Sequence, residues 1–137
     1  MSYEESLRSI TLNADASVGI YTGVPGLPGS ADPNVGKQYC FVKVTGANQV
    51  GLSTAAADAS VGVLQNKPQQ PGAAATVAIE GVTNVQVGAA FSAGDKIIAD
   101  GQGRAIESAA PATDVVVGIA LADGVTVGSI VPVLLKL

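Results

Sequence analysis

The sequence has no histidine, no tryptophan and a single cysteine, Cys40. Each shortage removes a class of function. Without histidine there is no side chain whose ordinary pKa suits general acid–base work near neutral pH. Cys40 has no histidine to take its proton and lies in an apolar stretch, so it reads as a small core residue. A lone cysteine closes no internal disulfide, and the chain is expected to be made in a host cytoplasm and to fold without covalent staples. One thiol, no imidazole and no carboxylates clustered at ligand spacing leave metal sites poorly supplied. Gly101-Gln102-Gly103 lacks the further glycines and the Lys-Ser/Thr of a phosphate loop, and it joins two strands instead of opening a helix. Neither an enzyme nor a cofactor is expected.

Other absences bear on partners. The formal net charge is −4, and the basic residues are scattered from Arg8 to Lys136 with no basic stripe. A nucleic-acid backbone has no electrostatic footprint to bind. Apolar runs such as Val115-Val116-Val117 and Val133-Leu134-Leu135 are too short to span a bilayer. The start, Met1-Ser2-Tyr3-Glu4-Glu5, is acidic and lacks the apolar stretch of a signal peptide. Phe41 and Phe91 are the only phenylalanines. The apolar content is mostly Ala and Val, which bury little area each, so the core is thin and a homo-oligomer is a reasonable hypothesis.

What remains is a chain of 137 residues, enough for one domain or one domain with an arm. The clearest unit is Gly94–Ser108, two short runs around a Gly-rich reversal. Asp100-Gly101 suits a tight hairpin, and Gly103 offers a second permissive position, so a bulged or longer loop is equally open. Strand and turn alternate from Gly36 onward. Gln38–Thr45, Val50–Leu52, Ser60–Gln65, Ala75–Glu80, Val82–Val87, Asp114–Leu121 and Ser129–Leu137 read as strands. Pro132 cannot donate to a ladder, which places the last strand at an edge or gives it a bulge. Ser53–Asp58 reads as one helical turn with Ser53 as its cap.

An offset of 56 residues aligns the two halves. It sets Asp58–Val63 on Asp114–Ile119, Gly72 on Gly128, Val77 on Val133, Phe41 on Ile97 and Val50 on Ile106. This predicts a duplicated unit with an internal pseudo-two-fold. Residues 1–35 differ. Ser9–Asn13 and Ser17–Thr22 read as extended segments, and Gly23–Pro33 is too rich in Pro and Gly for a central strand. The expected organisation is an N-terminal arm and loop over 1–35 and a β-domain over 36–137. Tyr3, Leu7, Ile10, Leu12, Val18, Ile20 and Tyr21 are too apolar for a solvated tail, so they are the candidate contacts to a neighbouring subunit or partner.

Val61–Pro68, Gly72 and Ala75–Ile79, with Ala93–Ile97, Gly103–Ala105 and Val117–Leu121, resemble the bacteriophage capsid decoration (cement) proteins. The likeness runs from about Gly36 to Leu137. It implies an all-β fold, a compact small β-barrel or tulip-like domain; the possible duplication, the short helical turn near 53–58 and the extended arm are read from the residues themselves, and the arm lies outside the likeness. It also implies a partner, the major capsid protein of a phage head, and self-association, with a trimer favoured. Such proteins sit on the outside of the shell where capsomers meet and hold it against internal DNA pressure. The competing reading is a receptor- or glycan-binding module of a phage tail or spike, which the shortage of aromatic platforms disfavours. A small cellular scaffold domain is a third.

Overall fold

The computed structural model describes residues 8–19, 37–55, 59–66, 68, 71–111 and 113–135. Among these residues nine strands carry the fold: β1 (Arg8–Ala14), β2 (Phe41–Gly46), β3 (Gln49–Leu52), β4 (Ser60–Leu64), β5 (Ala74–Gln86), β6 (Lys96–Ala99), β7 (Ala105–Glu107), β8 (Gly118–Ala120) and β9 (Ile130–Leu135). One helical turn, α1 (Ala16–Gly19), follows β1. The all-β expectation therefore holds, and the barrel with it. Strands β1, β3, β2, β4 and β5 pair in that order, and β5 returns to β1, which closes a five-stranded ring. The long strand β5 then continues into a second ring, β5-β9-β8-β6-β7. This one is closed by a parallel bridge between Val87 and Ala105. A closed ring leaves few unpaired edges for unintended strand pairing.

The two rings correspond pairing by pairing. Val42↔Leu52, Lys43↔Gly51 and Val44↔Val50 recur as Ile97↔Glu107, Ile98↔Ile106 and Ala99↔Ala105. Val63↔Ala78 and Leu64↔Val77 recur as Ile119↔Leu134 and Ala120↔Val133. β1 against β5 matches the second half of β5 against β9, with Ser9↔Ala78 recurring as Val82↔Leu134. Even the turns agree: Gly72 has φ 87° and Gly128 φ 86°. Their N–H groups donate to the Ala14 and Val87 carbonyls at 2.8 Å in both cases. The cores match as well. Val42, Leu64, Val77 and Ala14 fill the first ring, and their counterparts Ile97, Ala120, Val133 and Val87 fill the second.

This establishes the duplication and corrects its alignment. The offset of 56 holds for β4 and β5 on β8 and β9, but the β2–β3 hairpin maps on β6–β7 at 55. Phe41 therefore corresponds to Lys96, not Ile97, and Val50 to Ala105, not Ile106. β1 maps on the second half of β5 at 73, which the sequence reading did not find. The first unit is thus longer by the stretch between Ala14 and Lys37, which holds α1 and the Pro/Gly-rich segment.

Several other expectations change. Arg8–Ala14, expected in an arm, is a strand of the first ring, parallel to β3 on one edge and antiparallel to β5 on the other. Ser17 and Val18, expected to be extended, lie in α1. Asp15 caps that turn, receiving the Ser17 N–H at 2.8 Å and the Ser17 hydroxyl at 2.6 Å. The helical turn expected near 53–58 is not seen over Ser53–Ala55, and 56–58 lie outside the described residues. Ser53 does not cap; its hydroxyl pairs with that of Ser60 at 2.7 Å in the interior. Ala75–Glu80 and Val82–Val87 form one strand through Gly81, and Asp114–Val117 precede the short β8. β9 is not at an edge, since it lies between β5 and β8 without a bulge. Pro132 is tolerated there because β8 has just ended. It accepts the Leu121 N–H at 3.1 Å, and only the return bond is lost.

The rings are joined head to tail. In the first ring the Asn13 N–H donates to the Asn48 carbonyl at 2.8 Å. In the second, the equivalent groups are the Gln86 N–H and the Gly103 carbonyl. They bond instead to the Tyr39 carbonyl at 2.9 Å and the Phe41 N–H at 2.7 Å. The start of β2 is thus wedged into the seam of the second ring. Tyr39 holds φ 67° there, an unfavourable value for a bulky residue, where its counterpart is Gly94. A pseudo-two-fold would need the reciprocal bond from Lys96 to Asn48, and the Asn48 carbonyl receives the Asn13 N–H instead. The expected two-fold relation is therefore replaced by a heterologous one. Phe41, Val63 and Ala78, on the outside of the first ring, are buried in the same cluster as the interior of the second.

Candidate binding surfaces

The polar side chains of this fold hold turns. The Asp100 carboxylate accepts the Gln102 and Arg104 N–H groups at 2.8 Å and pairs with Arg104 Nε at 3.0 Å. It builds a loop longer than the tight Asp100-Gly101 turn, with the positive φ at Gly103. Asp95 accepts the Ser92 N–H, Asp123 the Ala93 N–H, and Asp114 the Ser108 hydroxyl, each at 2.8 Å. Burial works against the charge of Asp15. Hydrogen bonds from the Ser17 and Thr45 hydroxyls and from the Ser17 and Val18 N–H groups outweigh it and hold its carboxyl below the ordinary 3.8. Burial pushes the Cys40 thiol up to about 11, with Asp100 adding to the rise and Lys37 and Arg104 opposing it. A thiol held protonated is a poor nucleophile. Among the described residues no group of His, Cys, Asp or Glu is placed to hold a metal ion.

The apolar residues singled out near the N-terminus do not form one outward face. Val18 is buried, and Leu12 packs beside it, in the interior of the first ring. Ile10, on the same side of β1 but nearer its open end, is 39% exposed. Tyr3, Leu7, Ile20 and Tyr21 lie outside the described residues. Phe41 and Phe91 are buried and Tyr39 is half-buried, so no aromatic platform faces solvent among the described residues.

Sequence reading missed a different surface. The exposed large hydrophobics among the described residues are Ile10, Val44, Leu121, Val125, Val127 and Ile130. The last four lie in or at the ends of the loop joining β8 to β9. Beside this loop is an open cleft of about 310 Å³, lined in part by Phe91, Asp95, Glu107, Asp123 and Val125. The duplication carried the signal. At the offset of 56, the first unit has Gln65, Gln69, Pro71 and Ala74 where the second has these four apolar residues.

The comparisons with known proteins agree with this architecture. The model of the phage cement protein family matches residues 34–135. The crystal structure of the N base of head fiber gp8.5 from bacteriophage phi29 is similar at a TM-score of 0.63 and 13% identity. The match covers 94% of this chain and 95% of that one, and at such low identity it speaks for the fold. No match is found among curated proteins.

Proposed function

Because the chain belongs to the phage cement protein family and is thus a structural component of a phage virion, we propose that it binds the outer surface of a phage head. It sits where capsomers meet and stabilises the shell against internal DNA pressure. The observation that carries this reading is the extent of the family match, which takes in all of the second ring and the first ring from the start of β2. The chemistry of the surface supports it. Asp15, Asp95, Asp100, Asp114 and Asp123 serve turns, the one thiol is buried, and the exposed large apolar side chains are of the kind that make protein contacts. The phi29 protein of similar fold is the N base of a head fiber.

The protein acts as a homo-oligomer, a trimer in this reading, made in the host cytoplasm before it reaches the head. Three linked copies of one weak contact gain effective concentration without new chemistry. Tyr3, Leu7, Ile10, Ile20 and Tyr21 remain candidate contacts to the shell or to a neighbouring subunit. The test is to mix purified protein with undecorated heads and image them. Ordered density at the symmetry axes is expected, with threefold shape if the trimer is correct. Bare heads at saturating protein would refute the reading, and light scattering of the free protein tests the trimer separately.

A further inference from the structure

We propose that the loop Leu121–Ile130 and the acidic cleft beside it are the face laid against the shell, and that the shell offers an apolar surface flanked by lysine or arginine. The inference rests on the attachment proposed above and names the surface that makes it. Its first support is the contrast between two copies of one loop. Leu121, Val125, Val127 and Ile130 are 46%, 78%, 58% and 44% exposed, where the first unit carries two glutamines, a proline and an alanine. Nothing in the pairing scheme asks for the difference, because the strands on either side keep the same register.

The loop is also held in place. Gly124 and Phe91 exchange both backbone hydrogen bonds at 2.9 Å. The Gly128 N–H is bound to Val87 at 2.8 Å, and the Ser129 hydroxyl to the Thr126 carbonyl at 2.6 Å. Apolar side chains presented by a fixed loop lose little freedom on binding.

Charge selects the partner. Asp95, Glu107 and Asp123 line the cleft next to Val125, and Lys96 does not. Asp95 and Asp123 each give an oxygen to a backbone N–H, and the ion pairs among the described residues, Arg8–Glu80 and Arg104–Asp100, involve none of the three. Two copies of this chain meeting in a two-fold contact through the face would bring three carboxylates against three, in a chain already at −4. Like charges brought together across an interface are disfavoured, and a basic, apolar surface is the complement.

The experiment titrates full-length variants onto undecorated heads. Val125→Ser combined with Val127→Ser is expected to lower affinity by at least about tenfold, from the apolar area no longer buried. Glu107→Lys, an exposed change, is expected to weaken binding and to flatten its decline with salt. Val44→Ser, on an exposed strand position of the first ring, is expected to bind as wild type. Thermal unfolding close to wild type shows that the variants are folded. Undiminished binding by the double variant overturns the inference, as does a change in its oligomeric state in solution, which would put a second copy on this face. If wild type itself leaves the heads bare, the attachment is wrong and this surface falls with it. Binding by wild type with no loss in the variants fails this inference alone.

Discussion

The two rings share a pairing scheme and differ in what they show to the outside. On the first, Phe41, Val63 and Ala78 are buried against the second ring. On the second, the corresponding positions are Lys96, which is exposed, and Ile119 and Leu134, which are half-buried. The first ring carries the long insertion after β1, and the second carries the exposed apolar loop after β8. Register and core volume have been kept between the copies, while the outward residues have diverged. The lesson is that inward positions define the unit and outward positions define its job. One copy is covered from within the chain, and the other carries the loop proposed to face a partner.

The sharpest break in this comparison should come at Phe41. Phe41→Ala empties a site at the junction and is expected to cost about 3–5 kcal/mol. Lys96→Ala, at the matching position, should stay within about 0.5 kcal/mol. Chemical denaturation followed by far-UV circular dichroism measures both. Equal effects would mean that the rings do not rest on each other through Phe41.

Next come Gly62 and Gly118, which face the neighbouring strand in the same way. A Cβ on Gly62 would overlap the Ala78 carbonyl oxygen, and one on Gly118 would lie 2.6 Å from the Leu134 carbonyl oxygen. Both Ala variants should destabilise by about 1–3 kcal/mol or more, Gly62→Ala the more severely. Midpoints of thermal unfolding rank them.

A smaller and matched effect is expected at the turns. Gly72→Ala and Gly128→Ala add a methyl group in open space, but at φ near +87°. Each should cost about 1–2 kcal/mol, and by the same amount within error. Unequal losses would show that the two turns are not equivalent in solution.

The smallest change tests the cap that the second ring lacks. Asp15→Ala is expected to cost about 1 kcal/mol at neutral pH. Asp15 has a lowered pKa in the folded state, so its stabilisation is complete above the unfolded value near 4. It is lost as the pH falls through the folded value. The gap in melting temperature between wild type and Asp15→Ala should therefore narrow below about pH 4. A constant gap across that range would mean that the carboxylate charge is not what caps α1.

Much of this was legible in the chain. Alternating Val, Ile and Thr between Gly-rich turns marks strands because the pleat repeats every two residues. Gly72 and Gly128 announced the repeat because both turns need a positive φ, which glycine adopts freely. The shift from 56 to 55 was hidden, because an Ala- and Val-rich chain aligns almost as well one residue out. β1 was misplaced for a related reason. Its pairing partners are far along the chain, and its counterpart is the far half of a single long strand. The exposed loop was missed, since Val125 and Val127 carry no mark of which way they point.

Composition alone withheld the imidazole and the reactive thiol on which acid–base and nucleophilic chemistry ordinarily draw, and local pattern alone required strands and turns, because these follow from neighbouring residues. Ring closure, the head-to-tail wedge of Tyr39–Phe41 and the outward aim of Leu121–Ile130 were decided by tertiary structure. They depend on contacts between residues distant in sequence, where a side chain's neighbours, and not its own character, determine whether it is core or surface.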